Sequence, residues 1–270
     1  MISRLITASL SLALCTIAAA VDPTTTSLSA KDIARRLNTS QQDGASYVRL
    51  RMVVKESASD TGKKTLQLQV KSNRTKETTD ILYQVLWPKE RKGEGVLLKK
   101  TGERFTNGWI FTPPNNLRRL QASQLGESLF GSDLSYDDLV GNFLAWENQA
   151  IVGTEKINGV SCTILESKPS KEDRSSSGLT RTWADIRRFV PLRIEKYRAD
   201  GKLLRRIDIV NVVTDDIGRQ IPANLEVRSS GDNSVTELDG SRIKHGITYG
   251  DGQFTAAGLQ ELAVPRSAPE

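Results

Sequence analysis

From Tyr47 onward, apolar and polar residues alternate along five successive stretches of the chain. In "VRLRMVV", Leu50, Met52 and Val54 fall on one face of an extended strand, and Arg49 and Arg51 fall on the other. Such alternation predicts strands with one buried and one solvated face. The chain must therefore bury the apolar face of a broad sheet. The apolar positions of the five stretches are Leu50, Met52, Val54, Leu66, Leu68, Val70, Tyr83, Val85, Trp87, Val96, Leu98, Trp109 and Phe111.

Short polar turns separate these stretches and the later ones. Asn158-Gly159 is the strongest hairpin signal, and Asp200-Gly201 marks another turn. We count about ten or eleven strands and little helix, which predicts a mainly β fold with one large antiparallel sheet. A sheet this wide tends to curl. If it curls without closing, it forms an incomplete, half-open barrel whose apolar face lines a concave trough. A closely packed sandwich core is the alternative interpretation of the same pattern.

The stretch from Phe111 to Phe143 breaks the alternation with prolines, glycines, serines and acids. We interpret it as a lid over the trough. Ser135 and Asp138 predict a capped short helix within it. A second short helix begins at Ser29 and covers the concave face from the other side. The predicted apolar lid residues are Ile33, Leu37, Leu129, Phe130, Leu139 and Phe143. At the rim, Arg118 and Arg119 either meet an anionic headgroup or form an exposed strand face.

The first twenty residues predict a secretory signal, with Arg4 before an apolar stretch and small residues at positions 18–20. We expect cleavage after Ala20. Lipidation at Cys15 is an alternative, although Leu14 is bulky for that processing site. The remaining organisation is a flexible lead over 21–28, a single domain over 29–264 and a C-terminal tail over 265–270. Cys162 is the cysteine that remains after cleavage, so no intrachain disulfide stabilises the exported chain.

The net charge of +6 falls to +5 with the loss of Arg4, because the signal contains no acid. The basic residues are spread along the chain. Nucleic acid is an unsuitable partner for an exported protein, whereas an anionic membrane surface or lipid headgroup is a suitable one. A solvated basic surface is the simpler interpretation.

The sequence offers little catalytic chemistry. His245 is the single histidine, and no Cys/His cluster has the spacing of a transition-metal site. "GESLF" resembles the start of a nucleophile elbow around Ser128, but Phe130 stands where the second glycine is required. "DLSYDD" resembles half of a calcium loop, yet Asp138 replaces its glycine and Leu144 its bidentate glutamate. We therefore predict no catalytic residues, no metal and no cofactor, and an exported hydrolase is the weakest hypothesis.

Four segments resemble the bacterial outer-membrane lipoprotein-sorting protein family, which has the LolA/LolB-like fold. They are "GWIFTPPNNLRRL", "GESLFGSDLSYDDL", "VPLRIEKYRADGKLLRRIDI" and "DGQFTAAGLQEL". The resemblance extends from about Ser29 to Leu262, and "GSDLSYDDL" is its most specific part.

The resemblance implies a curved, incomplete antiparallel barrel with short helices over its mouth. It also implies a periplasmic, non-catalytic carrier that holds acyl chains of a lipid or acylated lipoprotein. Its partners would include an inner-membrane transporter or an outer-membrane acceptor. The same fold resembles the sensor half of the regulator RseB, so a periplasmic regulatory or scaffold protein that binds a membrane partner is the alternative function.

Overall fold

A computed structural model describes residues 28–41, 44–56, 62–102, 104–171, 175–231, 233–240 and 242–262. The predicted signal segment, most of the lead and the C-terminal tail lie outside these residues. Within the described part, no helix combines the length and apolar character needed to cross a membrane. The elements are α1 (Ala30–Gln41), β1 (Gly44–Lys55), β2 (Lys63–Arg74), β3 (Thr78–Trp87), β4 (Gly95–Thr101), β5 (Arg104–Thr112), β6 (Asn116–Leu120), α2 (Tyr136–Val140), β7 (Asn148–Ile157), β8 (Val160–Lys168), β9 (Leu179–Asp185), β10 (Val190–Tyr197), β11 (Leu203–Thr214), β12 (Gln220–Ser229), β13 (Val235–Asp239) and β14 (Ile243–His245).

The strands form one open, curved antiparallel sheet, as predicted, with the order β6-β5-β4-β3-β2-β1-β13-β12-β11-β10-β9-β8-β7. Two meanders, β1–β6 and β7–β13, join where β1 pairs with β13. The described sheet has fourteen strands rather than ten or eleven, and one reason is that the last predicted strand divides at Gly240. A side chain at Gly240 would meet Leu50 Cβ at 2.9 Å, so this position requires a glycine.

The two ends of the strand order, β6 and β7, are consecutive in the chain. Residues 121–147 connect them, and we call these residues the crossing segment. It contains α2 and two single turns of 3₁₀ helix, at Ala122–Gln124 and Phe143–Ala145. A segment that joins the opposite ends of a curved sheet has to pass over one of its faces. We call that face the inner face and the other the outer face.

Both faces of the first meander are buried where the C-terminal stretch covers β3, β4 and β5, which the alternating pattern did not predict. Leu82, Leu97 and Phe111 pack on the outer face against Leu259 of the C-terminal stretch. Register explains the placement of the aromatic residues of β5, because Trp109 pairs with Leu97 and Phe111 with Gly95. The prediction that Trp109 and Phe111 share a face with Val96 and Leu98 is therefore wrong. The side chains of β5 that pack on the inner cluster are Phe105 and Ile110.

Several local signals are confirmed. Ser29 Oγ accepts a hydrogen bond from the Asp32 backbone N–H at the start of α1. Ser135 and Asp138 form the predicted capping box of α2. Asn158 and Gly159 both have positive φ, at 48° and 82°, in the turn between β7 and β8. Such a turn matches the twist of an antiparallel hairpin.

Lys71 is an unusual residue of the outer face, because its side chain is fully buried. Its Nζ donates a hydrogen bond of 3.1 Å to Gln253 Oε1 in the C-terminal stretch. Burial lowers the pKa of Lys71 to about 8, and the negative charge of Glu261 acts in the opposite direction. Lys71 therefore binds a proton less readily in the native chain than in the unfolded chain.

Because Lys71 is buried, we predict that the free energy of unfolding increases as the pH becomes alkaline. Between about pH 8 and pH 10 the unfolded state binds more protons at Lys71 than the native state, so the free energy of unfolding increases with pH. Lys71→Met removes the buried ammonium. We expect it to be neutral or stabilising by about 1–4 kcal/mol at pH 7 and to flatten the rise. Urea denaturation across this range measures both effects, and an unchanged slope in the variant would contradict the assignment.

Candidate functional site

The inner face of the first meander is apolar. Met52, Leu68 and Val85 are fully buried, and Leu98 of β4 lies beside them. Most trough residues predicted from the alternation belong to this cluster or lie against it. Those members are Leu50, Met52, Val54, Leu66, Leu68, Tyr83, Val85, Val96 and Leu98. Val70 is buried on the same face, since it pairs with Val48 and Tyr83.

The crossing segment covers this apolar face. The same cluster contains four buried residues of the crossing segment, Leu129, Leu134, Tyr136 and Val140. Phe130 and Leu139 are partly exposed and pack against it. The inner face is thus filled by side chains of the crossing segment rather than left open. A ligand can use this surface only if the crossing segment moves away.

The inner face of the second meander differs, because it presents a row of polar side chains. The register aligns one residue from each of five adjacent strands, and all are buried or half-buried. The row consists of Ser167, Thr180, Lys196, Arg205 and Ser229. A buried row of this kind requires partners, because unpaired polar groups are costly inside a protein.

Asp138 supplies the negative charge that pairs with Lys196 and Arg205, the two cations of this row. Its carboxylate lies 2.8 Å from Lys196 Nζ and also contacts the Arg205 guanidinium, and its side chain is 2% exposed. Burial raises the pKa of Asp138, but Lys196 and Arg205 outweigh burial and hold it below its usual value. The same carboxylate accepts the Ser135 backbone N–H at 2.7 Å. One residue therefore caps α2 and anchors the crossing segment to β10 and β11.

Asp133 is a second anchor. Its carboxylate accepts hydrogen bonds of 2.7 Å from Ser234 and from Thr236 of β13. Thr236 also accepts the backbone N–H of Asp133 at 2.8 Å, and Ser229 donates to its carbonyl at 3.2 Å. Protein donors thus satisfy all three acids of the calcium-like motif, since Ser176 donates to Asp137, which supports their interpretation as structural residues.

A hollow of about 370 Å³ lies between the crossing segment and the first meander. Val96, Ile110, Phe130 and Tyr136 contribute apolar lining to it, and Arg91, Glu94 and Ser128 contribute polar lining. Arg91 donates to the Phe130 carbonyl at 3.3 Å, and its guanidinium lies 5.9 Å from the centre of the Phe130 ring. Phe130 has a φ of 53° and the next residue, Gly131, one of 80°. The backbone therefore turns sharply where the hollow meets the surface.

Helix α1 covers the inner face at the other end of the sheet. Ile33 and Leu37 are each 1% exposed and pack against Leu165 of β8. Phe143, from the end of the crossing segment, packs against the same cluster. The structure thus brings the predicted covering residues together in two groups, one on each meander.

Three further predicted residues lie outside the inner-face cluster. Trp87 is 50% exposed, because a β-bulge opposite Gln67 ends the alternation of β3. The prediction that it lines the trough is wrong. Arg119 stacks on the outer-face Trp109 ring at 5.7 Å, whereas Arg118 pairs with Ile110 and lies 3.7 Å from Glu127. A role of either arginine in headgroup binding remains a prediction.

His245 lies in a polar cluster away from the inner face. Its Nε2 is 2.7 Å from the Arg219 guanidinium, which can only donate, so Nε2 accepts. Its Nδ1 faces Asp216, and its backbone N–H donates to the same carboxylate at 2.9 Å. Asp215 lies 3.0 Å from Arg219. Arg219 contacts both Asp215 and His245, and Asp216 contacts His245, so the cluster joins the β11–β12 turn to β14.

Comparisons with known proteins agree with this fold. A family model described as "Uncharacterized protein" matches residues 77–261. No curated protein matches the chain. A DUF1329 family protein from Desulfovibrio piger has a TM-score of 0.78 at 20% identity, over 85% of this chain and 97% of its own.

Two further solved structures are similar over nearly their whole length. A putative outer membrane lipoprotein-sorting protein domain from Vibrio parahaemolyticus has a TM-score of 0.76 at 19% identity, over 86% of this chain and 98% of its own. A LolA superfamily protein from Nitrosomonas europaea has a TM-score of 0.65 at 19% identity, over 84% of this chain and 98% of its own. The chain therefore has a LolA-like fold and belongs to the uncharacterized protein family whose model spans residues 77–261.

Proposed function

We propose that this protein is a periplasmic carrier that shelters the acyl chains of a lipid or acylated lipoprotein on the inner face of its sheet. The main observation in support is that the crossing segment covers the apolar inner face of the first meander. Asp133 and Asp138 anchor this segment to the second meander. Binding occurs without bond-making, and the ligand takes the place of the segment's apolar side chains.

The energetics favour such an exchange. Each methylene moved out of water contributes about 0.8 kcal/mol, so a sixteen-carbon chain supplies roughly 13 kcal/mol before ordering costs. Binding would displace Leu129, Leu134 and Tyr136, which bury apolar area on the same surface in the closed form. The segment therefore competes with the ligand. That competition keeps affinity moderate, which a carrier needs in order to release what it has bound.

The hollow beside Phe130 is the natural starting point for ligand binding. Its volume of about 370 Å³ lies at the lower end of the range for small-molecule pockets. Val96 and Ile110 continue from the hollow into the inner-face cluster. An acyl chain that begins here would displace the crossing segment progressively from the side of Phe130, where Arg91 holds it.

The proposal includes export of the protein to the periplasm. Residues 1–20 have the pattern of a cleaved signal, followed by a lead over 21–28 and one domain over 29–264. The similarity to a putative outer membrane lipoprotein-sorting domain supports a carrier on fold-level analogy. A transporter in the inner membrane or an acceptor in the outer membrane would be the donor or recipient of the ligand.

The test combines native mass spectrometry of the exported protein with titration of a fluorescent fatty acid. We expect co-purified lipid and saturable probe binding. Ile110→Glu places a charge on the wall of the hollow and should weaken probe binding at least about tenfold, since an acyl chain cannot pair with a carboxylate. Leu117→Glu is the control, because Leu117 pairs with the outer-face Phe111 and is 37% exposed.

Two outcomes would contradict the proposal. One is a protein that is consistently isolated without lipid and does not bind the probe. The other is equal weakening of probe binding by Ile110→Glu and Leu117→Glu, which would place the probe outside the hollow.

A further inference from the structure

A groove of about 720 Å³ lies on the outer side of β1, where β13 has ended and β14 begins. It is separate from the hollow beneath the crossing segment. Arg49 and Arg51 reach it from β1, on the opposite side of that strand from Met52. Arg242 and Lys244 reach it from the residues that follow β13.

The groove is strongly basic. Its lining contains four cations, Arg49, Arg51, Arg242 and Lys244, against the single carboxylate of Asp239. Asp239 lies 3.5 Å from Arg51, and both side chains are about half exposed, so the pair is weak. Arg49 donates at 2.9 Å to the neutral Tyr47 hydroxyl, which orients the guanidinium without compensating its charge.

An exposed aromatic residue lies beside this charge. Trp87 is 50% exposed at the end of β3 and pairs with Gln67, a residue of the groove. Leu86, its neighbour in the bulge, also lines the groove. Tryptophan favours the boundary between headgroups and acyl chains, and clustered lysine and arginine are attracted to anionic headgroups. A soluble acidic partner would explain the cations but not the adjacent exposed indole.

We propose that the groove of Arg49, Arg51, Arg242 and Lys244, with Trp87 at its edge, docks the protein on the surface of an anionic phospholipid bilayer. The cations contact headgroup phosphates while the indole enters the interface. The cations project from the outer side of the sheet and the crossing segment contributes no residue to the groove, so docking leaves that segment unobstructed. Leu50 and Leu68 of the inner-face cluster also line the groove, so the two sites adjoin, but docking depends on neither residue.

The test is flotation of the full exported chain with vesicles of phosphatidylcholine alone or of phosphatidylcholine mixed with phosphatidylglycerol. We expect binding only to the mixed vesicles, weakening as salt increases. Each cation near an anionic surface contributes about 1 kcal/mol, or about fivefold in affinity. Arg49→Gln combined with Arg242→Gln should therefore weaken binding about 25-fold, and Trp87→Ser should weaken the binding that persists at high salt.

The matched control is Arg104→Gln combined with Lys156→Gln, which removes the same charge from exposed positions outside the groove. It should bind almost as the unchanged protein does. Absence of binding to the mixed vesicles, or equal weakening in both double variants, would overturn the proposal. Probe binding by the same variants separates the two sites, because loss of docking with normal fatty-acid affinity leaves the carrier proposal intact.

Discussion

Asp138→Ala should lower the free energy of unfolding by about 3–5 kcal/mol, the usual loss when one partner of a buried ion pair is removed. The carboxylate lies between Lys196 and Arg205, whose side chains are 5% and 11% exposed. Without it, two cations of the inner face remain in a poorly solvated site with no negative partner from the crossing segment. Urea denaturation measures the change.

The control for this variant is Asp200→Ala. Asp200 forms an exposed pair with Lys202 at 3.7 Å and accepts the exposed Lys202 backbone N–H at 3.0 Å, so its removal should lower stability by about 1 kcal/mol or less. The pH dependence gives a second check. Because the folded pKa of Asp138 is lowered, its contribution is present above the usual carboxyl pKa of about 4 and disappears as pH falls through the folded value. A loss below about 1 kcal/mol at pH 7 would show that Asp138 does not anchor the segment.

The second prediction with a large effect compares a residue of the crossing segment with a residue of the inner face that this segment covers. Leu129 and Leu98 are both fully buried in the inner-face cluster, one on the crossing segment and one on β4. Either residue changed to alanine should cost about 2–5 kcal/mol of stability, as large-to-small substitutions in cores do.

Their effects on ligand affinity should be opposite. Leu129→Ala weakens the closed form, and at least about 1.4 kcal/mol of its cost should appear as easier opening, which raises the apparent affinity for a fatty-acid probe about tenfold. Leu98→Ala removes part of the surface that the acyl chain would contact, so probe affinity should fall. A fluorescence titration of both variants below their unfolding temperature makes the comparison. A change in the same direction for both would refute the division into cover and surface.

The sequence correctly predicted which side chains face inward in strands whose apolar residues all lie on one face and whose polar residues all lie on the other. "VRLRMVV" is unambiguous because its outer positions are arginines, and the structure places Met52 inside and Arg51 outside. In "GWIF" and "GVLL" the apolar residues occupy both faces, so the pattern could not assign them. A one-residue shift exchanges the two faces of a strand. The C-terminal stretch resolves the ambiguity, since Leu259 covers Leu97 and Phe111.

The crossing segment was predicted as a cover, but its contacts were not. Leu129, Leu134 and Val140 follow no single period, so nothing local indicates which of them face the sheet. Lys196 and Arg205 resembled solvent-facing charges in alternating strands. The available signal was their shared face, together with an acid at the capping position of α2, but the register that brings them together depends on pairing between distant strands.

The crossing segment has to move away from the inner face before acyl chains can bind there. Asp133→Cys combined with Thr236→Cys tests it directly, because Thr236 Oγ1 lies 2.7 Å from the Asp133 carboxylate and 2.8 Å from its backbone nitrogen. Cys162 is 1% exposed and provides an internal reference for unwanted pairing. Fatty-acid titration is performed before and after reduction, beside each single-cysteine variant. We predict that the oxidised protein does not bind the probe and that reduction restores binding, whereas equal binding by the oxidised and reduced forms would contradict the account.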